Sequence, residues 1–167
     1  MTEYPELEKL KAANEVLREQ GKEWLFTSLE KICAEINTEL TPKLPEPATS
    51  PSEPALQIGT QDWQFAIGDS INKSLMIGER IGIRHKGKTL TVEVGWPRKT
   101  EDGFVPSAGL ARARVSLSAN VFIDAILLAE LTLRKERDSG EISWQLLPGE
   151  KMSEAGLRSY IERVMMD

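Results

Sequence analysis

Eight residues carry the most chemically suggestive spacing in the chain. Gly82-Ile83-Arg84-His85-Lys86-Gly87-Lys88-Thr89 spells G-x-x-x-x-G-K-[ST], the pattern in which Gly82 and Gly87 would let backbone N–H groups cradle phosphate, Lys88 would reach the terminal phosphates and Thr89 would meet magnesium. That chemistry needs a helix beginning at the Lys-Thr pair, because the phosphate sits on the unsatisfied N–H groups of the first turn. The residues that follow, Leu90-Thr91-Val92-Glu93-Val94-Gly95-Trp96-Pro97, alternate apolar and polar and end in a glycine and a proline. They predict a strand. Ile81 and Ile83 before the turn, and Leu90, Val92, Val94 and Trp96 after it, share one face of a β-hairpin, with His85-Lys86-Gly87-Lys88 as its turn and Gly87 free to take a positive φ. The run Val121-Phe122-Ile123-Asp124, which could bring a magnesium-binding aspartate, follows too soon after Thr89 for the helix and strands of a nucleotide-binding sheet. The hairpin is therefore the favoured reading and nucleotide binding the lesser one.

Little else in the chain suggests catalysis. His85 is the one histidine and Cys33 the one cysteine, which leaves no Cys/His zinc set, no internal disulfide and no nucleophile–base pair except through His85. On a turn, His85 reads as an exposed polar residue, and Cys33, beside an apolar helical stripe, as a small core side chain. Asp102 could serve as an acid, yet it lacks a partner carboxylate, and Asp102-Gly103 is explained by turn formation. No cofactor and no metal is implied.

Charge suggests binding instead. The net charge is −5, but between positions 80 and 114 eight basic residues face three acids, whereas positions 1–55 hold six basic residues and eleven acids. Arg84, Lys86, Lys88, Arg98, Lys99, Arg112 and Arg114 are thus candidates for a polyanion or nucleic-acid surface, with Trp96 or Phe104 available for base stacking. The alternative is that this basic face docks on the acidic N-terminal helix of the same chain.

The elements that would position these groups form an α+β chain. Leu7, Leu10, Val16/Leu17, Trp24/Leu25, Leu29, Ile32/Cys33, Ile36 and Leu40 keep a three-four spacing, which predicts an amphipathic helical arm over 1–41, either one helix or two joined near Gly21. Residues 42–56 are proline-rich and read as a linker, long enough for the arm to pack on its own domain or on a second copy. Over 57–167 the pattern predicts an antiparallel sheet of about five to six strands. The clearest are Asp62–Ile67, the hairpin, Leu110–Ser118, and a pairing of Leu131–Lys135 with Glu141–Leu147 across Arg137-Asp138-Ser139-Gly140. Ser70–Ile77 is ambiguous. Val121–Arg134 fits a long or bent strand with a bulge or turn at Asn120, and also fits a helix face. Lys99–Gly109 is a long loop. Ser153 caps a last helix with Leu157, Tyr160/Ile161 and Val164/Met165 on one stripe, laid across the sheet. No apolar run approaches the roughly 20 residues of a membrane helix, and the expected setting is a soluble cytoplasmic protein.

A leading helix, antiparallel strands, the Asp138-Ser139-Gly140 hairpin and a terminal Leu157-x-x-Tyr160-Ile161 helix in an acidic chain resemble the type III secretion chaperones and their bacterial relatives, over Asn120–Met165 and the first helix. The basic strand at Arg112 and Arg114 and the proline-rich linker depart from that pattern. The resemblance implies a dimeric, non-catalytic protein that binds another polypeptide. Together with the missing catalytic set, it makes an adaptor- or chaperone-like, self-associating module, a homodimer, the first functional expectation, ahead of polyanion binding.

Overall fold

A computed structural model of the chain describes residues 5–40, 55–68, 71, 73–103, 105, 109–120, 124–146 and 149–166. Helix α1 runs from Pro5 to Leu40, strands β1 to β6 cover Gln57–Gly68, Lys73–His85, Lys88–Trp96, Ala111–Ser118, Ile126–Lys135 and Ile142–Leu146, and helix α2 spans Glu154–Met165. The strands form a single antiparallel sheet whose spatial order is their chain order. This is the α+β arrangement expected, with six strands.

The central strands bury an inner face against the helices, as in a sheet with one face covered. On the inner face Ile81 and Ile83 of β2, Leu90, Val92, Val94 and Trp96 of β3, Ala111, Ala113 and Val115 of β4, Leu131 and Leu133 of β5 and Trp144 of β6 are all buried. Leu25, Phe26, Leu29, Ile32, Cys33 and Ile36 of α1 and Leu157, Ile161 and Val164 of α2 complete this core. Helix α2 starts as expected: Ser153 Oγ accepts from the Gly156 N–H at 3.1 Å, which satisfies one of the donors a first turn leaves open.

Helix α1 is one continuous element of 36 residues, about 54 Å long. Gly21 does not divide it. At Gly21 the helix lies tight against the sheet: a methyl group there would stand 2.5 Å from Leu133 Cδ2, and the Gly21 carbonyl accepts a 2.9 Å bond from the indole N–H of Trp144. The apolar stripe works as core only in the second half. Leu7, Leu10 and Val16 are about half exposed, because the first turns run past the end of the sheet, and Glu15 and Arg18 make the last contacts there, with Trp96 Nε1 (2.9 Å) and the Leu110 carbonyl (2.7 Å).

Three further details differ from the sequence reading. Strand β1 begins at Gln57, five residues before the alternating run. Trp63, Phe65 and Ile67 alternate along β1 and so share one face, which the register Trp63↔Gly78, Phe65↔Met76 and Ile67↔Ser74 puts opposite the helices. Where Val121–Arg134 was ambiguous, the described part is strand from Ile126; Asn120 lies in a bend after β4 as expected, and a further irregularity sits at Leu128, an extra residue opposite Val115/Ser116. The loop after β3 opens with a 3-10 turn over Thr100–Asp102; residues 104 and 106–108 lie outside the described residues, as do residues 41–54 of the proline-rich segment.

Candidate functional site

The hairpin settles the geometry of the G-x-x-x-x-G-K-[ST] stretch. Lys86 and Gly87 both take positive φ, 48° and 84°, the two-residue turn whose twist suits the flanking strands. Lys88 and Thr89 open β3. No helix N-terminus stands behind them, so Gly82, Gly87, Lys88 and Thr89 do not form a phosphate cradle. Lys88 Nζ instead donates to the Met166 carbonyl at the end of α2.

The other basic candidates are not gathered on one surface. Arg98 stacks on Trp96 at 3.9 Å and pairs with Glu15 of α1 at 3.3 Å, so it belongs to the helix side. Lys99 starts the 3-10 turn, its N–H donating to the Asp102 carboxylate at 3.2 Å, and Lys86 sits at the hairpin tip. Arg84, Arg112 and Arg114 lie on the outer face. Trp96 is buried and holds Glu15 through its indole N–H, so it cannot stack on a base; Phe104 lies outside the described residues. The acidic helix does not dock on the basic face, because α1 covers the apolar face, with Glu15–Arg98 and Lys22–Glu79 (3.0 Å) as its ionic links to the sheet.

Cross-strand register assembles the outer face. Arg114 pairs with Glu93 at 2.7 Å and lies over the Phe65 ring at 4.5 Å, reaching from β4 to β1 across two strands. It can do so because Gly78 and Gly95 face each other in between, so close that a Cβ on Gly78 would stand 2.0 Å from the Val94 carbonyl. Arg112 is buried, with one nitrogen 3.4 Å from Glu130. Its Nε, Thr132 Oγ1 and Ser143 Oγ are buried without a hydrogen-bond partner, beneath Val105 and Gly109 of the β3–β4 loop, whose Gly109 abuts Thr132.

A second glycine pair has the opposite character. Gly59 of β1 faces Gly82 of β2, and Gly82 faces Thr91 of β3. Here nothing stands within 4 Å of a Cβ added to Gly59, and for Gly82 only Thr89 Cγ2 does, at 3.9 Å. The result is an aisle free of side chains, running across the strands from the β1 edge inward, in a cavity of about 370 Å³ lined by Gln57, Gln61, Arg80, Arg84, Thr89 and Thr91 among others. Arg80 is fixed by neutral groups. It stacks on Trp63 at 3.6 Å, and Gln61, with its amide oxygen turned toward the guanidinium, accepts from Arg80 Nε at 2.7 Å and Nη2 at 2.6 Å. Among the described residues neither Arg80 nor Arg84 has a carboxylate partner; the nearby acids are taken, Glu93 by Arg114 and Glu79 by Lys22.

No protein-family model, curated protein or solved structure matches this chain.

Among the described residues no nucleophile–base pair is assembled. His85 Nδ1 is engaged with the Ala55 carbonyl at 2.8 Å, and burial pushes the Cys33 thiol up to about 11, far from a reactive thiolate. Among the described residues no group of three or more His, Cys, Asp or Glu side chains could hold a metal ion, and no helix is long and apolar enough to cross a membrane. Two larger cavities also border α1. One of about 540 Å³ lies toward β1 and β2 and contains Lys22; desolvation there disfavours its charge, but bonds to Glu79 and Glu19 outweigh it and raise its pKa. The other, about 590 Å³ and mainly apolar, lies between Gly21, Trp24, Leu133, Ile142, Trp144 and Met152. Sequence reasoning missed Arg80, Gln61 and Gly59 as site residues, because only the β1–β2 register shows that Gly59 and Gly82 coincide.

Proposed function

We propose that this protein is a non-catalytic polypeptide-binding module that accepts an extended segment, from a partner or from a second copy, as an added strand on the outer edge of β1. One observation carries this reading. β1 is a 12-residue edge strand whose residues 57–62 are all exposed and whose one charge is Asp62, with neither the proline nor the lysine that usually blunt an edge. The opposite edge is treated differently: β6 has five residues and is met by a bridge between Gln145 and Lys151. An unblunted edge supplies main-chain hydrogen bonds to an extended segment, and the neighbouring side chains select it. Pairing of two β1 strands would give the self-association expected from the sequence. Nucleic-acid binding finds less support, since the basic side chains are divided between both faces and Trp96 is buried.

Hydrogen exchange combined with light scattering at tens of micromolar tests the reading. A neutral peptide alternating valine and glutamine, or a second copy, should slow exchange at alternate amides of Gln57–Gln64. The same peptide with those backbone nitrogens methylated should not. A monomer whose β1 amides stay unprotected with either peptide refutes it.

A further inference from the structure

The side-chain-free aisle at Gly59 and Gly82 opens at the same edge that β1 offers to a strand, and on either side of it stand two arginines that have no carboxylate partner among the described residues. From these facts we infer that the groove selects an acidic partner segment, taking a glutamate or aspartate carboxylate of the added strand between Arg80 and Arg84. This inference rests on strand addition at β1 and names the chemistry of the strand added.

The geometry follows from strand spacing. An added strand would lie about 4.8 Å beyond β1 and so about 10 Å from β2. Every second residue of it would point to the outer face, and the one beside Gly59 would find no side chain between itself and β2. An acidic side chain leaning inward over Gly59 and an arginine leaning outward from β2 cover that distance together. Arg80 and Arg84 are four residues apart on one face, on either side of Gly82, so a carboxylate held over Gly59 meets one guanidinium from each side as the two lean outward from β2. Thr91, opposite Gly82, closes the inner end of the aisle.

Arg80 is the more pre-organised of the two. Trp63 and Gln61 hold its guanidinium without neutralising it, so little side-chain freedom is lost on binding. A neutral or basic residue in the same place would leave two positive charges uncompensated beside a newly covered groove. Lysine there adds direct repulsion. The selection therefore has an attractive and a repulsive part. A phosphate chain would satisfy the same charges, but the aisle runs across the strands and is bounded by Thr91, which suits one projecting side chain better than a continuous backbone.

The test uses the whole chain and four labelled probes: acetylated, amidated peptides in which valine alternates with glutamate, glutamine or lysine, and single-stranded oligo-dT. The glutamate peptide should bind about tenfold or more tightly than the glutamine peptide, and this preference should shrink as salt rises from about 50 to 200 mM. In Arg80→Gln/Arg84→Gln the preference should fall to within about twofold, a difference of about 0.4 kcal/mol, through a loss of affinity for the glutamate peptide. Arg84→Gln alone, at an exposed position, keeps the test readable if the double variant folds poorly, and should lose a part of the preference. Equal binding of glutamate and glutamine peptides overturns the groove and leaves strand addition standing. Failure of every peptide overturns strand addition, and the groove with it. Oligo-dT that displaces the glutamate peptide, in an Arg84-dependent way, replaces the acidic segment with a nucleic acid.

Discussion

Replacing Gly21 by alanine sets two opposed effects against each other. A glycine in a helix interior costs about 0.8–1.0 kcal/mol relative to alanine, so the substitution should stabilise α1 by that amount if nothing else were touched. The added methyl, however, would lie 2.5 Å from Leu133 Cδ2 and 2.8 Å from Leu133 Cδ1, and Leu133 is fully buried. Over-packing of a dense core costs about 1–3 kcal/mol. Leu133 can yield somewhat, since it borders the apolar cavity beside Trp144, but Gly21 itself is anchored by the Trp144 indole, so α1 cannot lift away freely. The net expectation is a loss of about 1 kcal/mol. Leu133→Ala alone should cost about 2–5 kcal/mol by opening a cavity. In the double variant the new methyl occupies part of that space and regains its helical preference, so the combined loss should fall short of the sum by about 1–2 kcal/mol. Urea denaturation followed by tryptophan fluorescence measures all three, provided the slope is unchanged. A Gly21→Ala protein about 1 kcal/mol more stable than the parent, with strict additivity in the double variant, refutes the close approach described here.

Four further outcomes are expected. Thr132→Val removes a buried hydroxyl that lacks a partner at nearly constant shape, and should leave stability unchanged or raise it by about 1 kcal/mol in thermal unfolding. Gly87→Val places a β-branched residue at φ 84° and should cost about 1–2 kcal/mol, all of it backbone strain because nothing lies within 4 Å of a Cβ there. Lys88→Ala should change stability by no more than about 0.5 kcal/mol, and titration with magnesium-ATP should show no binding to lose. The Cys33 thiol, raised from 9.0 to about 11 by burial, adds stability that is complete below pH 9.0 and is lost as pH climbs through about 11; at pH 8 a thiol reagent should label it only as fast as the protein opens.

The parts of the fold legible in the sequence are those fixed by neighbours along the chain. The Ile81/Ile83 and Leu90/Val92/Val94 alternation, the Gly87 turn, the Arg112/Arg114 face of β4, the β5–β6 hairpin and the Ser153 cap each follow from a handful of adjacent residues, and each stands as expected. Alternation, however, says only that Trp63, Phe65 and Ile67 share a face, not which one; the covered face is chosen by where α1 lands. Leu7 and Leu10 extend the same stripe as Leu25 and Leu29, and no periodicity reveals that the sheet ends beneath residue 15. The groove was least legible of all. Gly59, Gly82 and Arg80 come together only through a register between strands, and the basic middle of the sequence drew attention to charges that prove to be dispersed.

The meander places every strand beside the one made just before it, while α1, the leading element, finds its deepest contacts at the far end of the chain. Gly21 and Trp144 are 123 residues apart. During synthesis, hairpin after hairpin can form by closing short loops, but Leu25, Leu29 and Ile32 must wait, uncovered, until most of the sheet has emerged. For that interval α1 is an amphipathic helix with nothing to lie on. The hazard of this architecture is thus one of timing: aggregation should be worst for nascent or truncated chains that stop before β6, and should subside once Trp144 can reach Gly21.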